Sequence, residues 1–317
     1  MTTLYPAIEP YAQGYLEAGD TNSIYWEECG NPAGRPVVVL HGGPGSGCTA
    51  GMRRFFDPDR YRILLFDQRG CGRSRPHAAA PDVDLATNTT HQLLADMEAL
   101  RSERGIDAWM VFGHSWGPVL GMAYAQRHPQ RVSAAVMVGA GTGRRSEVDW
   151  LYRGGLAPMY PEEWDRFLAG LGELDKGDPV AGYHRLLEDP DPAVRQRAAD
   201  DWTDWDLALS SLGPVTRWPG RFSDPSLRLA RARICAHYFS HDFWLEDGEL
   251  INGAGRLDGV PALFINGRQD PQSPLGNARE LVGAWPGAEL VVVSSAGHAT
   301  SDPGMDEAII TATDRFA

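Results

Sequence analysis

The stretch Gly113-His114-Ser115-Trp116-Gly117 constrains this chain more than any other, because it joins the apolar run Ala108-Trp109-Met110-Val111-Phe112 to a helix-compatible segment from Val119 to Arg127. A serine on so short a strand-to-helix turn needs small residues two positions to either side, since the backbone bends sharply and packs against adjacent segments. Its hydroxyl then stands clear of the sheet, and the first turn of the following helix aims N–H groups at the space beside it. Alone, Gly-x-Ser-x-Gly also occurs in ordinary glycine-containing loops. A second feature narrows the reading. Pro36-Val37-Val38-Val39-Leu40 reads as a buried strand and runs into His41-Gly42-Gly43-Pro44-Gly45, whose glycines let bare backbone amides approach a ligand. The pair of segments predicts an oxyanion hole made by the amides of Gly43 and Trp116, and with it nucleophilic acyl transfer.

A serine hydroxyl is a poor nucleophile at neutral pH and needs a base, itself held by an acid. Residues 260–266 read as a strand that leads through Gly267-Arg268-Gln269 to Asp270, placing a carboxylate just past a strand end. Residues 289–293 read as the next strand, followed by Ser294-Ser295-Ala296-Gly297-His298. The chain order Ser115, Asp270, His298 is that expected of one hydrolase architecture, with Ser115 as nucleophile, His298 as base and Asp270 as its orienting acid.

These residues, with Asp67-Gln68-Arg69-Gly70-Cys71-Gly72-Arg73-Ser74, Ala284-Trp285-Pro286 and Ala296-Gly297-His298, make the chain resemble the α/β-hydrolase superfamily, and within it the proline iminopeptidase (prolyl aminopeptidase) family. The likeness spans nearly the whole chain. The family's elbow is usually Gly-Gly-Ser-Trp-Gly, so His114 is a departure. Asp67 to Ser74 is the most family-specific stretch, and its charged residues are read as braces for the oxyanion loop. The resemblance implies a serine peptidase that releases an N-terminal proline, or another small residue, from short peptides through an acyl-enzyme, with no cofactor and no metal.

Such an exopeptidase must anchor a free N-terminus, and a buried carboxylate pairing with the ammonium provides the anchor. The family's Trp-x-x-Trp-Glu is similar to Trp202-Thr203-Asp204-Trp205-Asp206, with Asp in place of Glu. Spacings of three and four put Trp202, Trp205 and Asp206 on one helical face, so an aromatic wall and a carboxylate are expected to face the pocket together. A second family glutamate falls at Cys235, where the acid is missing; Asp200, Asp201, Asp204 and Asp242 are the nearby acids that bear on compensation. These departures keep open an esterase or amidase of the same fold acting on small substrates without a free amine. A carboxylate nucleophile, as in epoxide hydrolysis, is disfavoured by Ser115 at the elbow, and a non-catalytic binding protein by the intact triad.

The strand and helix patterns from Ile24 to about residue 140, including strand-like 61–66 and 132–138 and helix-like 89–104, predict an α/β-hydrolase fold with a mostly parallel sheet covered on both faces. Between 141 and 257 the pattern becomes helical, with Gly and Pro punctuation, and then strand-helix alternation resumes. Residues 1–140 and 258–317 are thus expected to form the catalytic domain and 141–257 a helical cap over the strand ends. Trp150, Trp164, Trp202, Trp205, Trp218 and Trp244 lie in that insertion, and most are expected in the cap's own core.

Composition agrees with an enzyme of this kind. With 317 residues, 43% of them hydrophobic, the chain can enclose a large core. A net charge of −13 disfavours nucleic acid as a partner and is compatible with a cationic substrate. No run of about 20 apolar residues suggests a membrane span. Met1 to Pro6 lacks a basic start and an apolar run, and Cys29, Cys48, Cys71 and Cys235 show no metal-ligand spacing, so a reduced, cytoplasmic protein is expected. His237 and His241 are four apart but lack the intervening glutamate of zinc hydrolases, so no metal site is expected there.

Overall fold

A computed structural model describes residues 4–213, 218 and 220–317; Met1 to Thr3, the first half of the N-terminal stretch considered above, lie outside them. Eight strands form one sheet: β1 (Ala12–Glu17), β2 (Ser23–Gly30), β3 (Arg35–Leu40), β4 (Tyr61–Phe66), β5 (Trp109–His114), β6 (Val132–Val138), β7 (Ala262–Gly267) and β8 (Glu289–Val293). Helices α1 (Thr90–Glu103) and α2 (Trp116–Arg127) flank β5 in sequence. Between β6 and β7 come α3 (Arg145–Tyr152), α4 (Pro161–Ala169), α5 (Pro179–Leu187), α6 (Pro192–Ser210), α7 (Pro225–Ser240) and α8 (Glu249–Asn252), and α9 (Leu275–Ala284) and α10 (Met305–Arg315) follow β7 and β8.

The sheet order is β1-β2-β4-β3-β5-β6-β7-β8. β1, β2 and β4 pair antiparallel, and every pair from β4 to β8 is parallel. The unbroken apolar runs of β3 to β7 follow from burial on both faces, because successive side chains point to opposite sides. Val38 and Leu40 of β3 pack on the face carrying Leu93, Met97, Leu120 and Tyr124 of α1 and α2. Val37 and Val39 pack on the other, with Phe56 and with Met305 and Ile309 of α10. The first of these cores continues without a break into the helices between β6 and β7.

Strand β1 was not anticipated. Its residues alternate between intermediate and exposed apart from Leu16, as suits an edge strand, and Gln13, Gly14 and Glu17 dilute the apolar period that marks the central strands. Helix α2 begins at Trp116, three residues earlier than the sequence pattern indicates. Pro118 sits in the first turn, where a missing N–H costs no helical bond, so the helix can start ahead of it.

The loop after β4 is tied to α1 by Arg69, whose side chain is almost wholly buried. It donates from Nε and Nη2 to the two oxygens of Asp96 at 2.7 and 2.8 Å, and also to the carbonyls of Thr87 and Ala18. Removing one partner of such a pair leaves a desolvated charge behind. Asp96→Ala is therefore expected to lower the unfolding free energy by about 3–5 kcal/mol in urea denaturation, and a loss below about 1 kcal/mol would show that the loop is held by other contacts.

Candidate active site

Strand β5 ends at His114 and α2 starts at Trp116, so Ser115 alone makes the turn, at φ 63° and ψ −110°. A non-glycine residue pays for that conformation, and the surroundings hold it there. Its N–H donates to the carbonyl of Val138 at 2.9 Å, tying the turn to the end of β6. A side chain on Gly113 would come within 2.5 Å of the backbone of Gly117, and one on Gly117 would strike the carbonyl oxygen of Leu40. The two glycines thus let the elbow close against β3.

The loops after β7 and β8 bring Asp270 and His298 to this serine. His298 Nε2 lies 2.9 Å from Ser115 Oγ, and His298 Nδ1 lies 2.8 Å from Asp270 Oδ2. With Nδ1–H donating to the carboxylate, Nε2 is the ring atom left to accept the serine proton. Asp270 Oδ1 accepts from the amide of Ser273 at 2.8 Å, which fixes the carboxylate. Burial disfavours the charged imidazolium of His298, but the charge and hydrogen bond of Asp270 outweigh it and raise the pKa above its ordinary value of 6.5. Gly139, at φ 57°, leaves room here: a Cβ on it would approach His298 and Asp270 to 3.3–3.4 Å.

Two supports were missed in the sequence. His114 donates from Nε2 to the backbone carbonyl of His298 at 2.9 Å, so it braces the loop that carries that histidine. Burial, with the nearby His298, pushes its pKa down to about 4 and keeps it neutral for that bond. Gln68 accepts from the Trp116 indole at 2.9 Å, donates from its side-chain amide to the carbonyl of His41 at 3.2 Å, and donates its backbone N–H to His41 Nε2 at 3.0 Å. Gln68, two residues past the end of β4, therefore ties the elbow to the glycine loop. Asp67 fixes that loop from below, accepting from the amide of Cys48 at 2.7 Å and from the side chain of Arg73 at 2.8 Å.

Gly43 and Trp116 line a cavity with Ser115 at its floor. Neither amide donates to another group among the described residues, Trp116 because it opens a helix and Gly43 because its loop turns away from the sheet at φ 118°. Aligned with the serine, such amides suit the charge of a tetrahedral intermediate.

The sequence profile of the alpha/beta hydrolase fold family matches residues 35–304. A Streptomyces coelicolor protein named a probable proline iminopeptidase is 49% identical, over 99% of this chain and 98% of its own. The proline iminopeptidase of Xylella fastidiosa is 44% identical over the full length of both. The chain belongs to the proline iminopeptidase family of α/β-hydrolases. Its fold is also that of a crystal structure titled as a proline iminopeptidase of Mycobacterium smegmatis, with a TM-score of 0.63 at 20% identity, covering 96% of this chain and 97% of that one.

Within this family member, the cap residues are not arranged as the sequence suggests. Trp202 and Trp205 do not wall the cavity. Trp202 stacks on Tyr152 at 4.6 Å, Trp205 stacks on Phe167 at 5.6 Å, and both are essentially inaccessible. At about 100° per residue, Trp205 and Asp206 lie on opposite flanks of Trp202, an arc wide enough for one flank to meet α4 while the other opens on the cavity. Asp206 does reach the cavity. There its Oδ1 accepts from the Tyr152 hydroxyl at 2.6 Å and its Oδ2 is in ion-pair contact with Arg231 of α7.

Cys235, at the family's second acid position, is buried and directs its thiol at the carbonyl of Pro44 at 3.2 Å, with burial pushing its pKa up to about 12. None of Asp200, Asp201, Asp204 or Asp242 lines the cavity above Ser115 among the described residues. Asp200 pairs with Arg228 at 2.8 Å, Asp242 pairs with Arg145 at 2.8 Å, and Asp204 accepts from Trp218 at 2.5 Å. Asp201 faces a separate cleft with Glu163 and Asp204, and burial together with the neighbouring acids raises its pKa to about 6. His241 stacks on Trp244 and His237 packs against the same indole at a tilt of 54°, and no group of three or more His, Cys, Asp or Glu among the described residues is placed to hold a metal ion.

The elbow gives a test in which two effects oppose. Helix propensity favours Ala over Gly by about 1 kcal/mol, whereas a methyl driven into a backbone carbonyl costs about 1–3 kcal/mol or more. Gly117→Ala is expected to lose about 2 kcal/mol of stability and most activity; an unchanged unfolding midpoint would mean that the elbow tolerates a Cβ.

Proposed function

We propose that this chain is a serine peptidase that releases an N-terminal proline, or another small residue, from short peptides. The observation that carries the reading is the continuous hydrogen-bonded line from Asp270 through His298 to Ser115 beside a cavity lined by Gly43 and Trp116, whose N–H groups are unpaired among the described residues. Membership of the proline iminopeptidase family supports the choice of bond. In the proposed reaction Ser115 Oγ attacks the acyl carbonyl and its proton passes to His298 Nε2. Asp270 keeps its charge and steadies the imidazolium. The oxyanion rests on the amides of Gly43 and Trp116. Collapse breaks the C–N bond, His298 gives its proton to the leaving amine, and water, deprotonated by the same histidine, then cleaves the acyl ester. No step calls for a metal or an organic cofactor.

In this reading residues 1–140 and 258–317 form the catalytic domain and 141–257 the cap, supported by the helices that lie between β6 and β7, with no strand among the described residues there, and by the cavity's walls, which come from both parts. We place the protein in the cytoplasm, acting on small peptides and not on nucleic acid or membrane. The charge of −13 and the four free cysteines support this, as does the finding that no helix among the described residues is long and apolar enough to cross a membrane.

A second reading, hydrolysis of small esters or amides without a free amine, is favoured by one observation: the cavity's Asp206 already carries Arg231. Prolyl, alanyl and N-blocked prolyl arylamides beside a short-chain nitrophenyl ester separate the two. Turnover of the prolyl arylamide that Ser115→Ala abolishes supports the first; ester cleavage with no turnover of any free aminoacyl arylamide replaces it with the second.

The pH profile follows from His298, which must be neutral to accept the serine proton. Its pKa is raised by Asp270, so kcat/KM is expected to fall as pH drops through a value above 6.5. Asp270→Asn removes that influence: the acid limb should move to lower pH and kcat should fall by about 10⁴-fold. An acid limb unmoved by the substitution would take the base assignment away from His298.

A further inference from the structure

The cavity above Ser115 has two carboxylates in its wall, Glu147 and Asp206, and neither is free. Glu147 Oε1 accepts from the amide and hydroxyl of Thr142 and its Oε2 from the amides of Thr142 and Gly143, at 2.6–3.0 Å. Asp206 is taken on one oxygen by Tyr152 and on the other by Arg231. The ion pair is dry, with 13% of the Arg231 side chain and 7% of the Asp206 side chain exposed. Arg231 lies one helical turn before Cys235 on α7, so both project from the same face toward the glycine loop. A cation therefore stands beside a position where the family's pattern has an acid.

The donors tell the same story. A guanidinium has five N–H groups. Arg231 Nε donates to Ser46 Oγ at 3.1 Å and Nη1 faces Asp206, while Nη2 has no acceptor among the described residues. An incoming ammonium would have to separate Arg231 from Asp206 or sit beside a like charge, and either lowers its affinity. A ring oxygen or carbonyl in the same place would instead meet a spare N–H donor.

We propose that Arg231 is a specificity-determining residue that competes with the substrate ammonium for Asp206, so that this enzyme discriminates weakly between a free prolyl group and an uncharged acyl group of the same shape bearing a hydrogen-bond acceptor. The proposal rests on the serine-hydrolase reading given above. It reconciles the family's bond preference with a cavity whose acids are already engaged.

Three arylamides differing at one ring position provide the test: prolyl, tetrahydrofuran-2-carbonyl and cyclopentanecarbonyl. The wild type is expected to cleave the first two with kcat/KM values within about tenfold of each other. Arg231→Met and Arg231→Gln, two variants in case one folds poorly, should raise the prolyl to tetrahydrofuroyl ratio by about tenfold or more, chiefly through a lower KM for the prolyl substrate. Arg231→Lys, which keeps the charge, should retain the wild-type ratio. A purely structural arginine would instead lower kcat/KM for all three substrates together and leave the ratio unmoved, and that result overturns the proposal. Titration with an active-site phosphonate separates the failure of the underlying reading. Wild-type enzyme that neither titrates nor cleaves any of the three overturns the serine chemistry and this proposal with it; full titration with an unmoved ratio overturns the role of Arg231 alone.

Discussion

One residue in a left-handed backbone conformation holds the site together. Ser115 turns the chain from β5 into α2 without a loop, at φ 63°, and the turn closes only because Gly113 and Gly117 present no side chains to each other or to Leu40. That closeness brings the first turn of α2, the glycine loop after β3 and the loops after β7 and β8 to one point at the ends of the parallel strands, where open α/β sheets bind ligands. The strain at Ser115 is offset by the buried strands on either side, whose residues fill cores on both faces of the sheet.

Around this point the polar groups work in two layers. Ser115, His298 and Asp270 make the hydrogen-bonded line that we propose reacts, and His114, Gln68 and Asp67 hold the line and the glycine loop in place. The second layer is made of side-chain hydrogen bonds in a desolvated setting, where losing a partner would be costly. The cap adds a third element of another kind. Its aromatic residues pack against one another, Trp202 of α6 on Tyr152 and on Phe239 of α7, and on that support Asp206 and Arg231 meet at the cavity. The same packing that turns Trp202 and Trp205 away from the cavity thus delivers the ion pair to its wall.

Much of this was legible in the sequence because it is encoded locally. The bounds of β4, β6 and β8 coincide with their apolar runs, and Ser115, Asp270 and His298 each stand past a strand end, His298 directly after a glycine and Ser115 with a glycine two positions to either side, where short-range pattern and chemistry agree. What was not legible depends on which distant residue a side chain meets. The partner of Asp206 is 25 positions away on another helix, and periodicity within α6 gives no sign of it. His114, met in sequence only as a departure from the family's glycine, finds its role through a carbonyl 184 positions on. Strand β1 escaped notice because edge pairing needs backbone hydrogen bonds more than an apolar period.

The central claim is that Ser115 forms a covalent intermediate with the substrate's acyl group. Peptide mass spectrometry of the enzyme after reaction with a fluorophosphonate tests it most directly. The account predicts one adduct per chain, on the peptide containing Ser115, with loss of activity in step with labelling and slower labelling in Asp270→Asn. Activity that survives complete labelling of Ser115, or inactivation through an adduct elsewhere, would contradict it.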